Sequence, residues 1–225
     1  MLGDIQEDFE CGPLLNALLK INYAELCSLG GIVAIESSDR RRTVEEILKA
    51  TDAFLTNVCS DNAKFFSSTS FLAITDGKHP AFFVDCRNYN REKVNLWEMP
   101  TLSFDGGQVL YPIGAGDAVA AGSIAAWQAF RARNVSSSST MNMIHRDLLF
   151  QTMETWKNQM IHECEQSDEI ATNVEMMVCF AYGLACGSAS CLQHENAILD
   201  AKDVEKLFTE QIMDSPPLKV LMPAQ

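Results

Sequence analysis

Apolar positions fall in short runs in the first half of the chain and in helical stripes in the second. Residues 13–21 are apolar up to Lys20. They fit either a short buried strand or a helical turn, because periodicity does not separate the two over so few residues. Residues 22–29 predict a short helix, closed by Gly30 and Gly31. Residues 37–42 are polar, end in three consecutive arginines and read as a solvated loop. Thr43, three residues before Glu46, forms a capping-box pattern, and Val44, Ile47, Leu48 and Leu55 follow at helical spacing. Residues 70–75 and 81–85 read as strands joined by a turn at residues 76–80, a hairpin with a four- or five-residue loop. Residues 88–105 read as a polar connection with room for an edge strand.

A third apolar piece, residues 109–111, lies between Gly106-Gly107 and Pro112. Gly114, Ala115, Gly116 and Asp117 then open a helix predicted to run through Phe130. That helix is small or apolar nearly all round, which predicts burial. Arg131 and Arg133 suit its C-terminus. Residues 136–140 are serine-rich and read as a loop. Helices are predicted over 148–164 and 173–191. A last one, capped by Asp200, runs to Met213 with Val204, Leu207, Phe208 and Ile212 inward. Strands come early and helices dominate late, so the fold class is α/β.

Composition narrows the function classes. The chain has 225 residues, 47% hydrophobic and 21% charged, which excludes disorder as its main state and suits one domain. Its net charge of −13 argues against a nucleic-acid partner and against an anionic membrane surface. No apolar run reaches membrane-spanning length, and the first residues carry no signal-peptide pattern, so the cytoplasm is expected by elimination. The eight cysteines contain no CxxC pair and read as reduced, mostly buried residues. The four histidines are scattered and read as structural or exposed.

The chemistry sits at residues 112–122. Gly114 and Gly116 flank Ala115 just before Asp117 and a small-residue helix. Glycines let successive N–H groups converge, and the helix adds its positive end, which together make an anion site. A phosphoryl group in transit is stabilised there. Asp117 stands where a carboxylate takes a proton from an attacking hydroxyl. On spacing alone, a plain Gly-rich turn with Asp117 as helix N-cap fits as well.

Ile113, Gly114, Ala115, Gly116 and Asp117 resemble the C-terminal signature of the ribokinase/pfkB carbohydrate kinase family. Lys20, Ile21, Asn22, Tyr23, Ala24, Glu25 and Leu26 resemble that family's Lys-Pro-Asn-x-x-Glu-Leu segment, with Ile21 in place of proline. Leu72 to Gly77 resembles its strand ending in Val-Thr-Leu-Gly, and residues 180–190 its small-residue helix beside the adenine pocket. The order of the motifs also agrees. The resemblance spans about residues 13 to 210 and implies a ribokinase-like three-layer sandwich.

It also implies roles. Asp117 is then the base, and the N–H groups of Gly114, Ala115, Gly116 and Asp117 form the anion hole. Thr75 and Gly77 touch the nucleotide phosphates, and Ala185 and Gly187 lie by the nucleotide. Asn22 and Glu25 organise Mg2+ through waters; a cap and a solvated helix face are their plain alternative. ATP and Mg2+ are the implied cofactors, and a sugar or sugar derivative is the acceptor.

Departures from the family shape the expectation. Asn22 is reached almost at once, so the resemblance covers only the nucleotide-side portion. The N-terminal part, with early strands, lid and sugar contacts, is expected to be missing. Residues 134–173 read as an insertion within a single domain over 1–225. Tyr111-Pro112 stands where the family often has Asp-Thr or Asn-Pro. A second reading follows: a non-catalytic nucleotide-binding or scaffolding half-kinase, paired as a homodimer or with a partner chain that completes the sheet. A Rossmann dehydrogenase is disfavoured, because after Gly114 and Gly116 the third glycine comes only at Gly122.

Overall fold

Strand alternation decides the architecture. The computed structural model describes residues 17–34, 40–61, 69–87, 94–104, 109–132, 143–161, 167–195 and 198–220. Its strands are β1 (Ala17–Asn22), β2 (Thr69–Asp76), β3 (His79–Asp85), β4 (Asn95–Glu98) and β5 (Leu218–Lys219). They form one mixed sheet in sequence order: β1 and β2 are parallel and the other pairs antiparallel. The helices are α1 (Tyr23–Leu29), α2 (Val44–Asp61), α3 (Ala115–Arg131), α4 (Met143–Ile161), α5 (Ser167–Ser190) and α6 (Ala201–Gln211).

Successive side chains in a strand point to opposite faces. Leu72, Ile74, Phe82, Val84 and Leu96 face α1 and α2, where Leu26, Ile47 and Phe54 complete a core. Phe71, Ala73, Phe83 and Trp97 face the other way, into a core built with α3 to α6. The sheet is thus covered by helices on both faces. Both strands of the β2–β3 hairpin are buried on both faces, so they read as near-continuous apolar runs. In β1, Leu19 and Ile21 belong to the α1–α2 side and Leu18 to the α3 side. Alternation therefore gives Lys20 to the α3 side.

The resemblance's finer expectation, a ribokinase-like sandwich, stands here only as mixed α/β. Several local readings change. The ambiguous stretch before Asn22 is a strand, because pairing with β2 satisfies its backbone. β2 runs on to Asp76 and β3 begins at His79, so the hairpin loop is two residues, with Gly77 at φ +56°. β4 is interior, flanked by β3 and β5. Residues 109–111 take no regular structure. α3 is buried on one side only, leaving Ile124 and Trp127 exposed. Of the expected insertion, α4 sends Leu149 and Trp156 into the core beside α5, and Trp156 Nε1 donates to the Met213 carbonyl at 3.1 Å. Arg133, residues 136–140, and Cys11 and Cys164 lie outside the described residues. Cys27, Cys179 and Cys186 are buried free thiols, and Cys86 and Cys191 partly so.

α3 and α5 meet through small residues. A Cβ on Gly183 would stand 2.2 Å from Ser123 Oγ and 2.4 Å from the Val119 carbonyl oxygen. One on Gly122 would stand 2.6 Å from Cys186 Sγ. Gly183→Ala therefore forces the helices apart and is expected to cost about 1–3 kcal/mol. Urea denaturation checks this; an unchanged midpoint contradicts it.

Candidate functional site

The carboxyl ends of β1 and β2 gather most of the motif residues, the end of a parallel pair where α/β proteins bind ligands. Asn22 and Thr75 are register partners across the two strands. Gly77 follows in the hairpin turn. Gly116 stands above β1: its missing Cβ would lie 3.0 Å from Lys20 Nζ. That distance ties the Lys20–Leu26 segment to the Gly114–Asp117 turn, 94 residues apart in sequence as 20 and 114.

The turn leaves backbone donors open at the start of α3. Gly114 is the N-cap of α3 at φ +83°, a left-handed conformation that suits glycine. Its carbonyl accepts from the Ala118 N–H at 3.0 Å. The Ala115 N–H donates to the Pro112 carbonyl at 3.2 Å, so it is spent on the turn rather than offered to a ligand. Among the described residues the N–H groups of Gly114, Gly116 and Asp117 have no acceptor. Three free donors remain from the expected four. Asp117 lies exposed in the first helical turn and makes no hydrogen bond or ion pair among the described residues. It is not the N-cap, as the plain-turn reading required, and its carboxylate is free to act on a bound group. Lys20 is likewise unpaired among the described residues.

Asn22 and Glu25 cap α1 reciprocally. Asn22 Oδ1 accepts from the Glu25 N–H at 2.8 Å, and Glu25 Oε2 accepts from the Asn22 N–H at 3.0 Å. This is the plain alternative realised, and it leaves Glu25 Oε1 uncommitted. Among the described residues no three His, Cys, Asp or Glu side chains gather to hold a metal directly. Ala185 is fully buried in the core, and the Gly187 face is closed by Val119 and the Ala115 carbonyl. Gly187 lies in the α3–α5 seam under the turn and Ala185 in the core, and neither offers an open surface.

The approach to the turn is tethered. The Tyr111 N–H donates to the Cys191 carbonyl at 2.7 Å, and its hydroxyl lies 3.2 Å from His194 Nε2, ring on ring. His145 is buried and shares a 2.7 Å hydrogen bond with the Tyr182 hydroxyl. Burial pushes the Cys186 thiol up to about 12, so it is inert.

The arginine run takes no regular structure, with Arg40 and Arg41 exposed as a solvated loop implies, but each arginine has a carboxylate partner and Arg42 is buried. Arg40 pairs with Glu46, Arg41 with Glu98 and Arg42 with Asp76 at 3.1 Å. Arg42 is buried, with its guanidinium 4.7 Å over the Tyr23 ring, and so braces α1 against the end of β2. Charge counting missed this, because the three carboxylates come from α2, β4 and β2. Lys20 was visible in sequence, but only strand alternation gives it a direction.

Arg40 and the Thr43 N–H hold the Glu46 carboxyl at about 2, below its ordinary 4.5. A depressed carboxylate adds stability above its unfolded value and loses it on protonation. Stability is expected to fall between pH 4.5 and 2, and Glu46→Gln to flatten that limb. Acid titration of the folded fraction checks it; a variant as acid-sensitive as the parent contradicts it.

No family model matches the sequence, and a search of curated proteins finds no match. Among the described residues no helix is long and apolar enough to cross a membrane.

Proposed function

We propose that the protein transfers the γ-phosphoryl group of ATP to a hydroxyl of a sugar or sugar derivative, in the manner of ribokinase-type kinases. The observation that carries this reading is the Lys20 ammonium 3.0 Å from where a Gly116 Cβ would stand, at a helix start whose Gly116 and Asp117 N–H groups have no acceptor among the described residues. A cation, converging donors and a helix N-terminus favour the same thing, a multiply charged phosphoryl oxygen set.

The residues divide the work. Asp117 accepts the hydroxyl proton as that oxygen bonds to phosphorus and the bond to the leaving diphosphate breaks. The N–H groups of Gly114, Gly116 and Asp117 take up charge on the moving phosphoryl oxygens. Lys20 neutralises the phosphate chain. Mg2+ supplies further charge neutralisation at the phosphates. Asn22 and Glu25 fit a hydrated ion rather than a directly ligated one, because Glu25 Oε1 is free while the other oxygens are engaged in the cap.

The alternative, a nucleotide-binding or scaffolding protein without catalysis, is favoured by β1. Among the described strands it pairs only with β2.

Radiolabelled transfer from ATP to a panel of sugars and nucleosides tests the proposal. Asp117→Asn is expected to lower transfer about 100- to 10,000-fold while ATP binding survives. Lys20→Ala is expected to weaken ATP binding about 10-fold. A wild-type chain that binds ATP but phosphorylates nothing supports the scaffold reading; one that binds no ATP overturns both.

A further inference from the structure

One exposed flank of α3 carries a self-complementary stripe, with Arg131 at its border also reaching Glu175 of α5. Asp117, Ile124 and Arg131 are spaced by seven residues, about 20° short of two helical turns, so they share one face. Ile124 is 56% exposed, Trp127 beside it 37%, and the Arg131 side chain 53%. Ala120 and Ala121 flank the stripe and let another backbone come close. Arg131 reaches Glu175 Oε1 at 3.6 Å and lies over the Trp127 ring at 5.6 Å, contacts long enough to share.

We infer that this stripe is the contact surface for a second copy of the chain, α3 against α3 in antiparallel array. The occupant follows from where the charges sit. A two-fold axis through Ile124 carries position 117 onto position 131 of the other copy, since each is seven residues from 124. Asp117 of one chain then meets Arg131 of its partner at both ends, about 21 Å apart along the helix. Ile124 packs on its own symmetry mate in the middle. An isologous contact demands just this property, a patch complementary to itself. β1, which among the described strands pairs only with β2, lies beside the start of α3, where Lys20 reaches Gly116.

The interface stands whether or not the protein transfers phosphoryl groups, but it places one demand on that reading. Asp117 serves both, so association and proton abstraction compete for one carboxylate, and specific activity falls as the chain is concentrated.

Sedimentation over a concentration series, read apart from activity, tests the inference. The wild type is expected to pass from 24.9 kDa to twice that mass. Ile124→Asp is expected to raise the dimer dissociation constant about 30-fold or more, while its melting curve at concentrations where the wild type is monomeric stays unchanged, because the residue is exposed. Ile124→Cys is expected to give a disulfide-linked dimer under mild oxidation, because position 124 faces itself across the axis. A wild type that stays monomeric at every concentration overturns the inference. So does a dimer that Ile124→Asp leaves intact.

Discussion

Everything at the candidate site depends on how closely α3 lies against α5. At Gly122, Gly183 and Gly187 there is no room for a Cβ between the two helices. That approach fixes the first turn of α3, since Gly187 lies directly against the Ala115 carbonyl and Val119. The Gly114–Asp117 turn is therefore a rigid consequence of helix packing rather than a loop free to adapt. A preorganised set of N–H donors stabilises developing charge without the reorganisation a mobile loop would need.

The sheet supplies the other half of the constraint. β1 and β2 run parallel and end together at Asn22 and Thr75. The capping box at Asn22 turns the chain sharply into α1, while the Arg42–Asp76 pair holds the end of β2 against α1. A buried ion pair of this kind is weak evidence for stability, because desolvation offsets much of the attraction. Its clearer effect is geometric: α1 and the hairpin cannot slide relative to each other without exposing an unpaired charge. Lys20, projecting from the opposite face of β1, then meets α3 in a fixed place.

Much of this was legible in the sequence wherever local chemistry decides. The Thr43 box, the Asp200 cap and the Val204–Ile212 inward stripe need only neighbours a few residues away, and all formed as read, whereas Asn22, which the resemblance gives to a metal, forms the cap that is its plain alternative. What depends on distant partners was not legible. Arg42 looked solvated like its two exposed neighbours because its partner Asp76 is far off in sequence. α3 looked buried all round because composition cannot say which flank leaves Ile124 and Trp127 exposed. Ala185 and Gly187 looked like a nucleotide wall, yet Ala185 is core and Gly187 is what a tight helix seam requires. Of the candidate site, the glycine turn was readable from spacing, while spacing alone left Asp117 open between a helix N-cap and a base. The loss of the Ala115 donor to Pro112 and the gain of Lys20 were not.

The central claim is that three backbone donors and Lys20 receive a phosphate chain. The most direct measurement is the amide chemical shift of Gly114, Ala115, Gly116 and Asp117 in an isotope-labelled chain as ATP with Mg2+ is added. The account predicts saturable shifts at Gly114, Gly116 and Asp117, a smaller one at Ala115, whose N–H is already engaged, and loss of the response in Lys20→Ala. Saturable shifts elsewhere, with these four amides unmoved, would contradict it.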